Sequence, residues 1–153
     1  MPVDTSDWRP GGNPGFHLNV VSRLLTRFFD RRLADHAVNV SYLPVLGALR
    51  GSTLLSQKEL VQIGQIGQPA MAQMLERMVK EELLIRTPDA SDGRKALFRL
   101  SKGTTSRMVR IRSALSDGND QIFSVLTDDE MEKFMASLKK IEDRLRELLE
   151  TKE

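Results

Sequence analysis

Residues 56–100 read SQKELVQIGQIGQPAMAQMLERMVKEELLIRTPDASDGRKALFRL, and this stretch sets the fold. Ser56-Gln57-Lys58-Glu59 is a capping box. The Ser hydroxyl accepts from the third backbone N–H of a helix, and Glu59 reaches back to the cap N–H. Leu60, Val61 and Ile63 give that helix an apolar side, and Gly64 and Gly67 break the pattern as a short turn needs. A second helix opens at Gln68-Pro69, where Pro69 suits the first helical position because its missing N–H would be unpaired anyway. Met71, Met74, Leu75, Met78 and Val79 fall three or four residues apart and make one buried stripe. The other side carries Ala70, Ala72, Gln73, Glu76, Arg77 and Lys80, so its first turns are small and uncharged.

Outward from the helix pair, residues 83–87 form a short strand and residues 88–93 are turn-rich. Residues 95–100 alternate in period two, which predicts a two-stranded ribbon with Asp92, Arg94 and Lys95 at a basic tip. Thr53-Leu54-Leu55 supplies a minimal third strand. The tip of the second helix is the segment to enter a major groove. Gln73 has the geometry for a bidentate contact to adenine, and Ala70 or Ala72 suits a thymine methyl. Gln68 and Pro69 sit at the helix N-terminus, whose free N–H groups favour a phosphate. Lys58, Arg77 and Lys80 read as phosphate contacts or as plain surface charge. A single Arg94 on a narrow hairpin suits the negative potential of a minor groove, with Asp92 holding either the guanidinium or the loop backbone. A solvated ion pair in a turn is the alternative.

These residues resemble the MarR family of bacterial transcription regulators. The resemblance rests on Ser56 to Leu60, Leu75 to Lys80, Leu83 to Arg86, Asp92-Gly93-Arg94-Lys95, and Leu100-Ser101 followed by Gly103. The Asp-x-Arg tip after this helix pair is its most specific part. The family has Gly where Glu82 stands, Ser or Thr where Ala70 stands, and often Arg where Gln73 stands. The resemblance implies an interleaved homodimer on a double-stranded DNA operator, with the wing Arg in the minor groove and the Asp bracing it. It also implies release of DNA by a small, aromatic or anionic effector bound between dimer helices and winged module. Phe16, His17, Tyr42, Leu46, Arg107 and Met108 are the candidates to line that crevice.

The fold class expected is mainly α with a small β-ribbon: a winged helix-turn-helix domain plus N- and C-terminal dimerisation helices. Residues 1–12, with Trp8, read as a flexible tail, residues 13–38 and 101–153 as dimerisation helices, and residues 39–100 as the DNA-binding module. The first helix runs from about Asn13-Pro14 to His36 with Leu18, Val21, Leu25 and Phe28 on one side. Ser41 is a candidate N-cap for a helix bearing Val45, Leu46 and Leu49, stopped by Gly51. After Leu100, Ser101 caps a helix through Met108, Ile111 and Leu115, with residues 116–120 as a candidate interruption. Thr127 to Glu130 is a second capping box. The last helix places Met131, Phe134, Leu138, Ile141, Leu145 and Leu148 on a coiled-coil-like seam. A second subunit covers that seam most economically, and a monomer with the helices folded back is the alternative.

At 153 residues with 40% hydrophobic content the chain has enough apolar material for one core. Aromatics are only 5%, so aliphatic side chains and the seven Met must fill it. With no Cys, disulfides and thiolate metal sites are excluded, and His17 and His36 make no ligand cluster. No metal site, cofactor or catalytic constellation is expected. No signal peptide or apolar run of membrane length is seen, so the cytoplasm is the expected location. The net charge of +2 hides an asymmetry: residues 50–112 hold 12 Lys/Arg against 6 Asp/Glu, whereas the remainder holds 11 against 15. That is the footprint of a duplex-binding module with a separate scaffold, or an ordinary solvated surface. The function expected is a sequence-specific DNA-binding transcriptional regulator, a repressor acting on a palindromic operator. The alternative is a winged-helix protein-interaction module that no longer binds DNA.

Overall fold

The computed structural model describes residues 10–150. Residues 1–9 of the expected tail, Trp8 among them, lie outside the described residues, and Pro10–Gly12 forms a 3-10 turn. In chain order come α1 (Pro14–Leu33), α2 (Leu43–Ala48), β1 (Leu55–Ser56), α3 (Gln57–Gly64), α4 (Gln68–Lys80), β2 (Leu84–Pro88), β3 (Ala96–Leu100), α5 (Lys102–Phe123) and α6 (Asp128–Glu150). The fold is mainly helical with one small antiparallel sheet of order β1-β3-β2, a winged helix. The chain divides within α5 into two compact units, one ending at Ala114 and one beginning at Leu115.

In the first unit, Asn13 caps α1 through its side chain, which accepts from the N–H groups of Gly15 and Phe16. The core is built from Phe29 and Leu33 of α1, Val45 and Leu46 of α2, Leu60 of α3 and the Met71, Met74, Leu75 and Met78 stripe of α4, all buried. Ile63 was expected on the apolar side of α3 but is exposed. Helix α3 has only eight residues, and Leu60 alone of it is buried. Ser41 does not cap α2. It lies in a 3-10 turn, Val40–Tyr42, and its hydroxyl bonds the Asn39 side chain. The turn is tied down from α1 instead, by the Val40 N–H donating to Asp30 Oδ1 at 2.8 Å. Helix α2 stops at Ala48, three residues before Gly51, which takes φ +73° in the following turn.

The ribbon pairs Leu84 with Leu100, Arg86 with Phe98 and Pro88 with Ala96. Both of its strands start one residue later than expected. The Leu83 N–H is committed to Met78 O at 2.9 Å, closing α4, and the Lys95 N–H to Asp92 O at 2.9 Å, closing the loop. The third strand likewise falls at Leu55–Ser56 rather than Thr53–Leu55, pairing Leu55 with Phe98. Helix α5 begins behind Ser101, whose hydroxyl accepts from the buried Thr104 N–H at 3.2 Å. Two arginines fasten the end of α1 to α5 in this unit: Arg32 Nε donates to Ala114 O at 2.8 Å, and Arg107 Nη1 donates to His36 O at 2.7 Å.

The interruption expected at residues 116–120 is absent, and α5 runs unbroken to Phe123. Gly118 costs a helix only about 1 kcal/mol. Asn119 bonds back to Leu115 O at 3.0 Å rather than competing for the backbone of a turn. In the second unit, Thr127 and Glu130 form the expected capping box at the start of α6, with Thr127 N to Glu130 Oε2 at 2.8 Å. Phe123 and Phe134 rings lie 6.2 Å apart between centroids. Met131, Phe134 and Leu138 are half-buried, whereas Ile141, Leu145 and Leu148 further along α6 are exposed.

Glu82 ends α4 in a left-handed conformation at φ 59°, with its N–H on Val79 O at 3.0 Å. With the Leu83-to-Met78 bond this is a Schellman-type stop, and a side chain there is strained. Glu82→Gly should therefore stabilise the module by roughly 0.5–1 kcal/mol, the αL penalty less the entropy of a glycine. Urea unfolding checks this, and a destabilised Glu82→Gly protein would show that the Glu82 side chain is itself a stabilising contact.

Candidate nucleic-acid interface

The capping box of α3 is formed as the sequence predicts. The Ser56 N–H donates to Glu59 Oε2 at 2.7 Å, and Ser56 Oγ accepts from the Glu59 N–H at 3.3 Å. The Ser56 backbone N–H, followed by its hydroxyl, holds the Glu59 carboxyl below the usual carboxylate range. Between α3 and α4 the left-handed position belongs to Gln65 (φ 51°) rather than to either glycine. Gly64 has a packing role: a Cβ there would stand 3.3 Å from Met71 Cε and 3.6 Å from Pro44 Cβ. The close approach of the two helices needs that space.

Burial of the methionine stripe fixes the rotation of α4, so Gln68, Pro69, Ala70, Gln73, Glu76, Arg77 and Lys80 are turned outward and Ala72 is half-buried. Gly67, the N-cap, has no side chain to satisfy the first-turn N–H groups of α4. Lys58 is exposed on α3. Between α4 and the ribbon lies a groove of about 380 Å³ lined by Gln57, Ala72, Gln73, Glu76, Arg86 and Arg94, floored by Phe98. Ala72 and Gln73, two of the three α4 residues expected to meet bases, and the wing arginine therefore line one depression. Arg86 reaches it because cross-strand pairing with Phe98 puts both on the sheet face towards α4.

The wing is held by two Asp side chains. Asp92 Oδ1 accepts from the Arg94 N–H at 3.1 Å, so of the two roles open to it, it takes the backbone. Its other oxygen lies 3.8 Å from Lys95 Nζ in an exposed pair of little energetic weight. Asp89, which the sequence reading passed over, accepts from the Ser91 N–H at 2.9 Å and the Ser91 hydroxyl at 2.8 Å. These turn bonds leave Arg94 exposed at the tip. The signal for Asp89 was present in Asp-x-Ser after a proline, an Asx-turn pattern. Nothing in the sequence pattern singles out Gln57 or Arg86.

The residues expected to line an effector crevice are placed in three settings. Phe16 and His17 are exposed at the start of α1, with His17 Nε2 2.7 Å from Gly11 O. Tyr42 and Leu46 are buried in the core of the module, and the Tyr42 hydroxyl donates to Glu81 Oε1 at 3.1 Å. Burial, with the Glu81 carboxylate beside it, pushes the Tyr42 phenol up from its ordinary value. Arg107 and Met108 are half-buried on α5. Of the expected dimer residues on α1, Leu18 and Val21 are exposed and Leu25 is half-buried. Among the described residues no group of His, Asp and Glu is arranged to hold a metal ion, and no helix is long and apolar enough to cross a membrane.

A capped helix, a tight turn, an outward-facing second helix and an arginine-tipped ribbon define a winged helix-turn-helix protein. Residues 36–95 match the family model described as MarR family. The fold is similar to that of a mutant MarR from Escherichia coli complexed with operator DNA, at 23% identity and TM-score 0.76, covering 83% of this chain and 91% of that one. It is similar to Staphylococcus aureus MepR in a DNA complex at 19% identity and TM-score 0.79, covering 86% and 98%. Bordetella bronchiseptica BpsR, whose DNA binding is regulated by 6-hydroxynicotinic acid, matches at 21% identity and TM-score 0.79, covering 90% and 99%. No curated protein sequence matches the chain.

The Ser91 backbone N–H, and then its hydroxyl, hold the Asp89 carboxyl below its ordinary value of 3.8. A depressed folded value means that the loop contact is fully present above the unfolded value and is lost as pH falls through the folded one. The wing loop should therefore keep its order as pH drops through 3.8 and lose it only below. A carboxyl-carbon NMR titration checks this, and an Asp89 midpoint at or above 3.8 counts against the turn.

Proposed function

We propose that this chain is a sequence-specific double-stranded-DNA-binding transcriptional regulator, a repressor that binds a palindromic operator as a homodimer. The observation that carries the reading is that Ala72 and Gln73 of α4 and exposed Arg94 line one groove. A duplex docked there meets α4 in its major groove while the ribbon tip reaches the adjacent minor groove. Gln73 is the reader of adenine, Ala70 and Ala72 meet thymine methyls, and Gln68, Pro69, Lys58, Arg77 and Lys95 lie along the backbone of the duplex. Asp92 acts through Arg94 by setting the loop backbone from which that side chain leaves.

The domain roles follow. Residues 39–100 serve as the DNA-binding module, and residues 13–38 and 101–153 as dimerisation helices. Leu18 and Val21 on α1, and Ile141, Leu145 and Leu148 on α6, leave apolar surface open that a second copy would cover. Met131, Phe134, Leu138 and Leu25 continue these two stripes inward. A small aromatic or anionic effector that releases DNA is part of the reading. Phe16, His17, Tyr42, Leu46, Arg107 and Met108 are its candidate contacts, and the fold likeness to BpsR supports looking for one.

Two measurements test this function. Sedimentation of the full chain at micromolar concentration should show a dimer, and a folded monomer would remove the palindrome from the reading. Arg94→Ala should melt like the parent, because exposed substitutions usually stay within about ±0.5 kcal/mol. It should still bind the chain's own upstream DNA far more weakly, with the salt slope lowered by roughly one phosphate-equivalent. Asp92→Ala should do the same more mildly. An Arg94→Ala protein that melts and binds like the parent moves the weight to a docking module without DNA.

A further inference from the structure

Gln57, at the edge of the groove beside α4, bonds the side chain of Gln68, and the roles above give no use to that bond. Gln57, in the first turn of α3, points its side chain across to Gln68, in the first turn of α4. Gln57 Nε2 lies 3.0 Å from Gln68 Oε1 and makes a longer 3.5 Å approach to the Gln68 backbone carbonyl. A backbone carbonyl only accepts, so that second contact fixes which end of the Gln57 amide faces Gln68: it is the NH2 group. The Gln68 atom nearest to it must then be its oxygen. The Gln68 NH2 group is consequently turned away from Gln57, and Gln68 itself is exposed at the outer tip of α4.

This bond has little to do with holding the module together. It joins exposed side chains eleven residues apart in sequence. The two helices are already fixed by Gly64 against Met71 and by the buried stripe of α4. What the bond does settle is the polarity of an amide. A free glutamine presents either end to a base, as acceptor or donor, whereas a glutamine whose oxygen is held presents a donor.

We propose that Gln57 is a specificity-determining positioning residue: it holds Gln68 so that the outward Gln68 amide donates to a base in the major groove. The partner chemistry follows from the groove edges. Guanine offers two adjacent acceptors, N7 and O6, whereas thymine offers one, O4, adenine pairs its one acceptor, N7, with an amino donor, and cytosine offers only an amino donor. The Gln68 position therefore prefers guanine, independently of Gln73, and Gln57 acts only through Gln68. The inference rests on the DNA-reading function proposed above.

The test begins with selection of duplexes from a randomised pool by the full-length parent. The selected duplex, and versions of it changed at single positions, are then titrated with Gln57→Ala, Gln68→Ala, the double variant and Gln57→Glu. Thermal melts of all four are expected to match the parent. Gln68→Ala should weaken the selected duplex by about fivefold or more and flatten the choice at one guanine. Gln57→Ala should flatten the same position by about threefold or more, and should add nothing in the Gln68→Ala background, as two residues acting through one contact require. Gln57→Glu places a carboxylate against Gln68 and draws its NH2 group inward. The outward atom is then an oxygen, and the preferred base at that position should change from guanine to one that offers an amino donor, cytosine or adenine.

Equal weakening by Gln57→Ala with and without Gln68 overturns the proposal, as does equal weakening on every sequence, which is the mark of a phosphate contact. A parent that selects duplexes while Gln57→Ala binds them unchanged overturns this inference alone. A parent that selects no sequence at all overturns the DNA-reading function and takes this inference with it.

Discussion

The burial of one stripe on α4 is the constraint on which the rest of the module depends. Met71, Met74, Leu75 and Met78 are all in the core, and fully burying such side chains is worth about 1.5–3 kcal/mol each. No rotation of α4 keeps that gain while turning Ala70 or Gln73 inward. The outer face of the helix, the one free to meet a partner, is therefore set by packing on the inner face. The unbranched, flexible methionines suit this duty, because they fill the gap beneath α4 without demanding one side-chain shape. Gly64 answers the same constraint from the facing helix, leaving room for Met71 Cε.

Helix ends are the second place where the module is specified. Three ends meet their orphan backbone groups locally: a reciprocal Ser56–Glu59 box at the start of α3, left-handed Gln65 at its finish, and left-handed Glu82 at the close of α4. The last is tied to the wing, because the N–H that closes α4 belongs to Leu83, the residue just before β2. Helix α4 and the ribbon thus share one backbone junction. The Tyr42 hydroxyl on Glu81 fastens the same junction to the start of α2. A strain at Glu82 in this position is consistent with a stop that geometry requires and side-chain chemistry merely tolerates.

At the wing the controlling forces are local and polar. Asp89 and Asp92 each accept from a backbone N–H two residues on, which replaces the ladder bonds the loop lacks. The effect is to keep Arg94 off the body of the protein while its guanidinium stays free of a carboxylate from Asp92. A guanidinium already paired within the wing would lose that pairing on meeting a phosphate or a base, so a brace on the backbone suits a contact residue better than a brace on the charge.

Much of the fold was legible in the sequence. Capping boxes at Ser56 and Thr127, Pro69 at a helix start, and the apolar period on α4 are local signals, each written within about one or two helical turns. The wing tip was legible for the same reason, since Asp-x-Arg in a turn is a short-range pattern. The sequence by itself therefore determined the order of the main helices and strands, with the strand starts off by one or two residues, and which face of α4 lies outward. Tertiary structure alone decided the items that depend on neighbours far along the chain. Asp30, ten residues away, anchors the turn where Ser41 was expected to cap, and continuous helix overrides Gly118 and Asn119 in α5. Gln57 and Gln68, on different helices, meet only when α3 and α4 pack, as does Arg86 with the groove beside α4. Periodicity reports how a segment turns its own faces, whereas the partner each polar side chain finds is fixed only when separate segments are brought together.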